Sequence, residues 1–177
     1  MPTKPFPALP GYYNFQVLWV EPITTGMSAI MIWFTHGAEW FYQDLLPTNE
    51  KLITPLDPRT VMVIWQLAGC FLLWTLISTL LFRAARDALT NDLIAQERVV
   101  GAVIGVYAIA DVTHILVTFA CLPPSLRFNF GEWNSMIHGN VTLVAAFLVI
   151  RIAWFLGIGR KAYYYGLSPT RDDVKAS

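Results

Sequence analysis

Charged residues are scarce in this sequence, and several long stretches contain none. Lys, Arg, Asp and Glu make up 14% of the 177 residues, whereas hydrophobic residues make up 55%. Soluble domains carry about a quarter charged residues, so the composition disfavours a soluble globular domain. The formal net charge is zero, which gives no indication of a basic surface for nucleic acid.

The absence of several other features narrows the kinds of reaction that the protein could catalyse. The only two cysteines, Cys70 and Cys121, lie within or at the end of apolar stretches; they are too few for a metal site and are interpreted as packing residues. The sequence shows no aspartate-rich motif for a Mg²⁺-diphosphate, no glycine-rich phosphate loop and no Ser-His-Asp pattern. The proline-rich start, "MPTKPFPALPG", lacks the pattern of a removable signal peptide. We therefore expect no metal and no cofactor, and neither a hydrolase nor an enzyme that ionises a diphosphate.

Four long apolar segments are present instead, at about residues 14–35, 61–82, 99–122 and 133–158. Each has the ~20 residues that a helix needs to cross a hydrocarbon core of ~30 Å. Helices are expected because backbone polar groups must be satisfied within the segment in lipid. The sequence predicts an all-α integral membrane bundle of four transmembrane helices, a single membrane domain over residues 1–177 in contact with lipid. Residues 45–60 and 83–98 are interpreted as connections, the second with a short interfacial helix.

The positive charges predict the orientation, because Lys and Arg accumulate in cytoplasmic segments. With four spans, both termini and the connection at residues 83–98 share one side. That side has eight positive residues: Lys4, Arg83, Arg86, Arg98, Arg160, Lys161, Arg171 and Lys175. The other side has Lys51, Arg59 and Arg127. We expect both termini in the cytoplasm and a location in the endoplasmic reticulum.

Polar residues inside the apolar segments are the candidate functional residues, because charges there cost several kcal/mol and mark functional sites. "YAIADVTHILVTF" places Asp111 and His114 one helical turn apart. With a rise of 1.5 Å per residue, Asp111 lies ~20 Å from the cytoplasmic end of its span. A lumenal polar layer is predicted from Gln66, Asp111, His114, His138 and Asn140. Glu21 and Arg151, ~10 Å deep, form a second predicted layer.

Structural explanations stand beside the functional ones. Glu21 and Arg151 could form a structural ion pair, or Arg151 could extend to the headgroups. His114 could be a hydrogen-bond partner of Asp111 without chemistry, and Gln66 and Asn140 could join helices. Asp111 is the hardest to explain structurally, because the histidines are the only basic groups expected at its depth. Such an acid is expected to remain protonated in lipid.

A protonated carboxyl in a dry cavity can protonate an olefin or an epoxide, and a neighbouring histidine such as His114 can orient it. The resulting cation needs a lining that stabilises it without reacting, and aromatic ring faces do this. Aromatic residues make up 14% of the chain, and Trp65 and Tyr107 are among those expected to contact substrate.

Five motifs occur in a defined order: "LWVEPITTG" at 18–26, "WQLAGCFLL" at 65–73, "ADVTHI" at 110–115, "EWNSMIHGN" at 132–140 and "VIRIAWFLGIG" at 149–159. This pattern resembles small fungal four-span membrane proteins, the group that includes the membrane-bound meroterpenoid terpene cyclases of the ascofuranone and macrophorin type. The resemblance covers about residues 10–159.

The resemblance implies a cation cyclisation of a farnesyl chain attached to a phenol or cyclohexanoid ring. It carries a polar set onto this chain: Glu21, Gln66, Asp111, His114, Trp133, Asn134 and Asn140. Asp111 is the expected proton donor, with Glu21 as the rival, and the ring is expected near Glu21 and Arg151. A sterol-isomerase-like or sterol- or lipid-binding protein would use the same residues, and a non-catalytic membrane subunit would use them only to join helices.

Overall fold

The computed structural model describes residues 5–47 and 55–165. Its helices are α1 (Tyr12–Thr35), α2 (Gly37–Asp44), α3 (Pro58–Ala88), α4 (Leu93–Cys121), α5 (Pro124–Arg127) and α6 (Ser135–Phe155), with a short 3₁₀ turn at Phe130–Glu132. The described residues contain no strand. Four of the helices, α1, α3, α4 and α6, are long and apolar enough to cross a membrane. The predicted all-α bundle with four spanning helices is therefore confirmed, which is consistent with an integral membrane protein.

Two spanning helices extend further than their apolar segments. The helices α3 and α4 continue through most of the charged connection, so that only residues 89–92 remain between them. Polar residues continue a helix readily where it leaves the hydrocarbon, and Asp92 caps α4 by accepting a hydrogen bond from the Ala95 N–H at 2.8 Å. Asp57 caps α3 in the same way, through the Arg59 N–H at 3.0 Å. Within the other connection, residues 48–54 lie outside the described residues.

The described spans contain four π-helical turns, at Gln16–Val20, Met31–Thr35, Ile77–Leu81 and Gly139–Leu143. The first lies directly before Glu21 and Pro22. Proline has no N–H to donate to the carbonyl of Leu18, and a wider turn accommodates this missing bond. Such bulges often accompany functional sites, and here the first and last turns adjoin or contain the polar residues Glu21 and Asn140.

The described residues before α1 and after α6 close the same end of the bundle, which we call the termini end. The indole N–H of Trp154 donates to the Ala8 carbonyl at 2.8 Å, and the Ala8 N–H donates to Gln96 Oε1 at 3.3 Å. The opposite end, formed by α2, α5 and the connections beside them, is the loop end.

After α6, Gly157 and Gly159 adopt φ of +74° and +69° and turn the chain back. Glu97 is fully buried there. Its carboxylate accepts from Arg160 Nη1 at 2.8 Å and from the backbone N–H groups of residues 163–165. Arg160, which counted as a surface charge in the predicted orientation, is therefore half of a buried ion pair. Of the other residues in that comparison, Lys4, Lys51, Arg171 and Lys175 lie outside the described residues.

The segment after α6 packs against α4 at Gly101, and this packing requires a residue without a side chain there. A Cβ at position 101 would overlap the ring of Tyr165 and would lie 3.1 Å from the Trp154 ring. We expect Gly101→Ala to destabilise the protein by ~1–3 kcal/mol and to make the chain near Tyr165 accessible to chymotrypsin. Unfolding in detergent micelles and limited proteolysis measure the two effects.

Gly105→Ala is the matched control, one helical turn further along α4. Its Cβ would meet Phe155 at an ordinary 3.7 Å, so we expect a gain of up to ~1 kcal/mol from helix propensity. Equal stability of the two variants would show that the C-terminal segment does not dock on Gly101.

Candidate active site

The predicted polar layers meet in a single cluster around Arg151. Its Nη2 lies 2.7 Å from Glu21 Oε1 and its Nη1 lies 3.2 Å from Glu21 Oε2, while its Nε lies 2.9 Å from Asp111 Oδ2. Each of the three residues is at most 5% exposed. We call this cluster the acid–arginine triad. The prediction of two separate layers is therefore wrong, and so is the expectation that only histidines lie near Asp111.

The error has a physical cause. Hydropathy indicates the depth of a residue only by its distance along its own helix from the expected membrane boundary. The helix α4 begins at Leu93, well before the apolar segment. The register of one helix against another is set by side-chain packing, which hydropathy does not describe. A guanidinium also offers donors on two edges of a fork, so the long Arg151 side chain connects carboxylates on two different helices.

The two carboxylates of the triad are held unequally. Glu21 accepts two hydrogen bonds from Arg151, one from the Trp74 indole at 2.7 Å and one from Gln16 Nε2 at 3.2 Å. Asp111 Oδ2 lies close to Arg151 Nε, but the two atoms are not aligned as a hydrogen bond. No hydrogen bond from the described residues reaches Asp111 Oδ1. Glu21 is therefore the anchored carboxylate, and Asp111 keeps one oxygen uncommitted.

Charge balance indicates which acid carries a proton. One guanidinium neutralises one carboxylate, and Glu21 makes the charge-assisted bonds that favour the ionised form. If Asp111 were ionised as well, the triad would hold a net negative charge inside the bundle, which is costly. The neutral arrangement has ionised Glu21 and protonated Asp111.

A cavity of about 620 Å³ begins at the triad, a size typical of ligand pockets. Its lining follows α6 from Arg151 to Ser135, which is ~24 Å of helix at 1.5 Å per residue. The cavity is therefore elongated, and α1, α2, α3 and α4 supply the other walls. Its large apolar lining residues are Phe41, Phe71, Trp74, Val117, Met136, Leu143, Val144 and Phe147.

Five of the predicted site residues line this cavity: Glu21, Asp111, His114, Asn140 and Arg151. Tyr107 lies behind the triad, with its ring stacked on Trp74 at 4.4 Å and 5.2 Å from the Arg151 guanidinium. His114 makes no hydrogen bond to Asp111 among the described residues. The hydrogen bond expected between His114 and Asp111 is therefore not formed, and the charged side chain beside Asp111 is Arg151 instead.

The remaining predicted residues lie outside the cavity. Trp65 and Gln66 line a separate groove between α1 and α3, together with Trp33 and Phe34. Gln66 thus faces a different side of the bundle from Asp111, although both were predicted at similar depth.

Three of the predicted residues near the start of α6 have structural partners. The Trp133 indole donates to the Leu126 carbonyl at 2.8 Å. Asn134 caps α6 by accepting from the Ile137 N–H at 2.9 Å, and it donates to the Asp44 carbonyl at 2.7 Å. His138 lies 3.0 Å from the Thr142 hydroxyl, one turn along α6.

Sequence reasoning missed the residues that complete the site. Gln16 precedes Glu21 by one π-helical turn, but the sequence does not indicate that widened turn directly. Phe41 reaches the cavity because α2 follows α1 after a bend at Gly37, with φ +84°. Trp74 was one aromatic residue among many, and only its position opposite Glu21 distinguishes it.

Comparison with known proteins yields one match. A family model described as "Domain of unknown function (DUF7704)" matches residues 6–161. No curated protein and no solved structure matches the chain, so the resemblance to meroterpenoid cyclases stays a prediction. With most of its length covered by the family model, the chain belongs to the DUF7704 family.

Proposed function

We propose that this protein is a membrane-bound terpene cyclase that starts cyclisation by protonating a farnesylated phenol or cyclohexanoid. One observation carries the proposal: an elongated, aromatic-walled cavity begins at Asp111, a carboxyl with one uncommitted oxygen. The proposed substrate is a hydrophobic small molecule, and the reaction requires no metal and no cofactor.

The proposed reaction needs no reactant besides the substrate and the proton of Asp111. The O–H bond of the Asp111 carboxyl breaks, and its proton adds to the terminal olefin or to the epoxide oxygen. A neighbouring double bond attacks the electron-deficient carbon and closes a ring. In the epoxide, the C–O bond at that carbon breaks, and its electron pair stays on the oxygen, which becomes a hydroxyl. Loss of a proton from the final cation returns one proton to the medium or the site, so the product is an isomer of the substrate.

Two features of the site favour this step. Arg151 Nε lies 2.9 Å from Asp111 Oδ2, so a positive charge stabilises the carboxylate that forms as the proton leaves. The aromatic residues Phe71, Trp74 and Phe147 line the same cavity, and aromatic rings can stabilise a carbocation without capturing it.

Incubating membranes that contain the protein with three substrates tests the proposal: a farnesylated phenol, its terminal epoxide and an olefinic sterol. We expect a cyclised isomer from one of the first two. In deuterated water, olefin protonation leaves deuterium on carbon, whereas epoxide protonation leaves it on an exchangeable hydroxyl. Conversion of the sterol alone would favour the sterol-isomerase alternative, and no conversion of any substrate would contradict enzymatic protonation.

We further propose a location in the endoplasmic reticulum. The positive-charge asymmetry supports an orientation with both termini in the cytoplasm. A tag at either terminus is expected to be digested by protease added to sealed vesicles of that membrane. Protection of both tags would reverse the orientation, and protection of only one would exclude an even number of spans.

A further inference from the structure

The cavity has a second group of polar side chains besides the triad. His114, Ser135 and Asn140 line it, and their side chains make no hydrogen bond to any described residue. The other hydroxyls of the lining differ. Thr24, Thr25, Ser28 and Thr113 each donate to a carbonyl of their own helix. The free hydrogen-bonding capacity of the lining outside the triad is therefore concentrated in three side chains.

These three side chains lie on the loop-end side of the triad, with His114 nearest to it. Ser135 begins α6, and Asn140 is separated from Arg151 by ~16 Å along the same helix. His114 is one turn nearer the loop end than Asp111. On the other side of the triad, toward the termini end, buried Leu18, Phe82, Tyr107 and Trp154 belong to one packed core cluster.

The backbone at Asn140 differs from a regular helix. Asn140 lies in the π-helical turn at Gly139–Leu143, and this turn contacts α4. The extra residue in a π turn changes the direction of the side chains it carries, which is why such turns are frequent at binding sites. A Cβ at Gly139 would meet nothing within 4 Å, so the space beside this residue, which also lines the cavity, is open.

We infer that His114, Ser135 and Asn140 form a subsite for the oxygenated ring of the substrate. An amide, an imidazole and a hydroxyl supply both donors and acceptors, which suits a phenolic hydroxyl or a ring carbonyl. The prenyl tail then points along the aromatic walls, with its terminal olefin or epoxide at Asp111. This orientation is the reverse of the one expected from the sequence, which placed the ring near Glu21 and Arg151. The inference rests on the proposed function for the identity of the ligand.

Photo-crosslinking tests the orientation without requiring turnover. The probe is a farnesylated phenol with a diazirine on its ring, and the labelled peptides are identified by mass spectrometry. We expect labelling of residues 135–143 and of the segment around His114, and we expect unlabelled farnesylated phenol to compete with it. Labelling of residues 16–25 or 147–154 would place the ring at the triad and overturn the inference, as would labelling that does not saturate.

Competition binding tests the polar contacts. The wild-type protein is expected to bind farnesylated phenol at least ~10-fold more tightly than farnesylbenzene, because a ligand without the hydroxyl leaves the subsite unpaired. Asn140→Leu and His114→Leu are each expected to reduce this ratio by at least ~3-fold. Gln66→Leu is the control, since it removes an amide in the separate groove, and it should leave the ratio unchanged. An unchanged ratio in both subsite variants would overturn the inference.

The two proposals can fail separately. Specific labelling at residues 135–143 without any cyclised product would contradict the cyclase and support the subsite. Cyclisation with labelling at the triad would support the cyclase and contradict the subsite.

Discussion

Asp111→Asn is expected to lower the rate of cyclisation by about 10²- to 10⁴-fold, the range of a general acid contribution. The amide has nearly the size of the carboxyl but carries no acidic proton. Glu21 and Arg151 remain paired in this variant, so the triad stays neutral and the protein is expected to accumulate in the membrane at normal levels. Product formation per amount of folded protein, measured with the farnesylated phenol or its epoxide, checks the prediction.

Glu21→Gln is the informative comparison, because Glu21 is the rival donor. It leaves Asp111 as the one carboxyl of the triad, so Asp111 is expected to ionise, and activity should fall for that reason. Near-normal turnover in Asp111→Asn together with complete loss in Glu21→Gln would assign the proton donor to Glu21 instead.

Arg151→Met is expected to destabilise the protein by ~3–5 kcal/mol, the cost of breaking a buried ion pair by removing one partner. The guanidinium is 2% exposed and contacts both carboxylates. Without the guanidinium, the Glu21 carboxylate keeps only the hydrogen bonds from Trp74 and Gln16 among the described residues. Unfolding by denaturant in mixed micelles, monitored by tryptophan fluorescence, measures the loss.

A double variant separates charge from packing. Glu21→Gln combined with Arg151→Met leaves protonated Asp111 and no charge at the site of the triad, so we expect its destabilisation to be smaller than the sum of the two single effects. Arg59→Met removes an exposed arginine and is expected to change stability by less than ~0.5 kcal/mol. Simple additivity in the double variant would show that the triad is not a coupled unit.

Hydropathy identifies the spanning helices because it is a local, additive property of the chain. Each apolar segment is long enough by itself to cross the hydrocarbon, and no information from another segment is needed to recognise it. The same local reasoning identified Glu21, Asp111 and Arg151, since a charge within an apolar run is conspicuous wherever the helix lies in the bundle. The local nature of hydropathy also explains why the predicted ends of two helices are wrong. The helices α3 and α4 continue into polar residues that hydropathy assigns to a connection.

Which polar residues meet is decided by the register and rotation of the helices against one another. At Gly26 the helices α1 and α3 approach closely, with a Cβ there 3.3 Å from the Thr75 hydroxyl, and Thr25 and Thr75 share a hydrogen bond of 2.8 Å. Such contacts depend on pairs of residues far apart in the chain, and depth counted along one helix contains no information about them. The amino-acid sequence by itself therefore determined four spans and three buried ionisable residues. Only the tertiary structure brought those residues together at Arg151, and it directed Gln66 and Asn140 to different faces of the bundle.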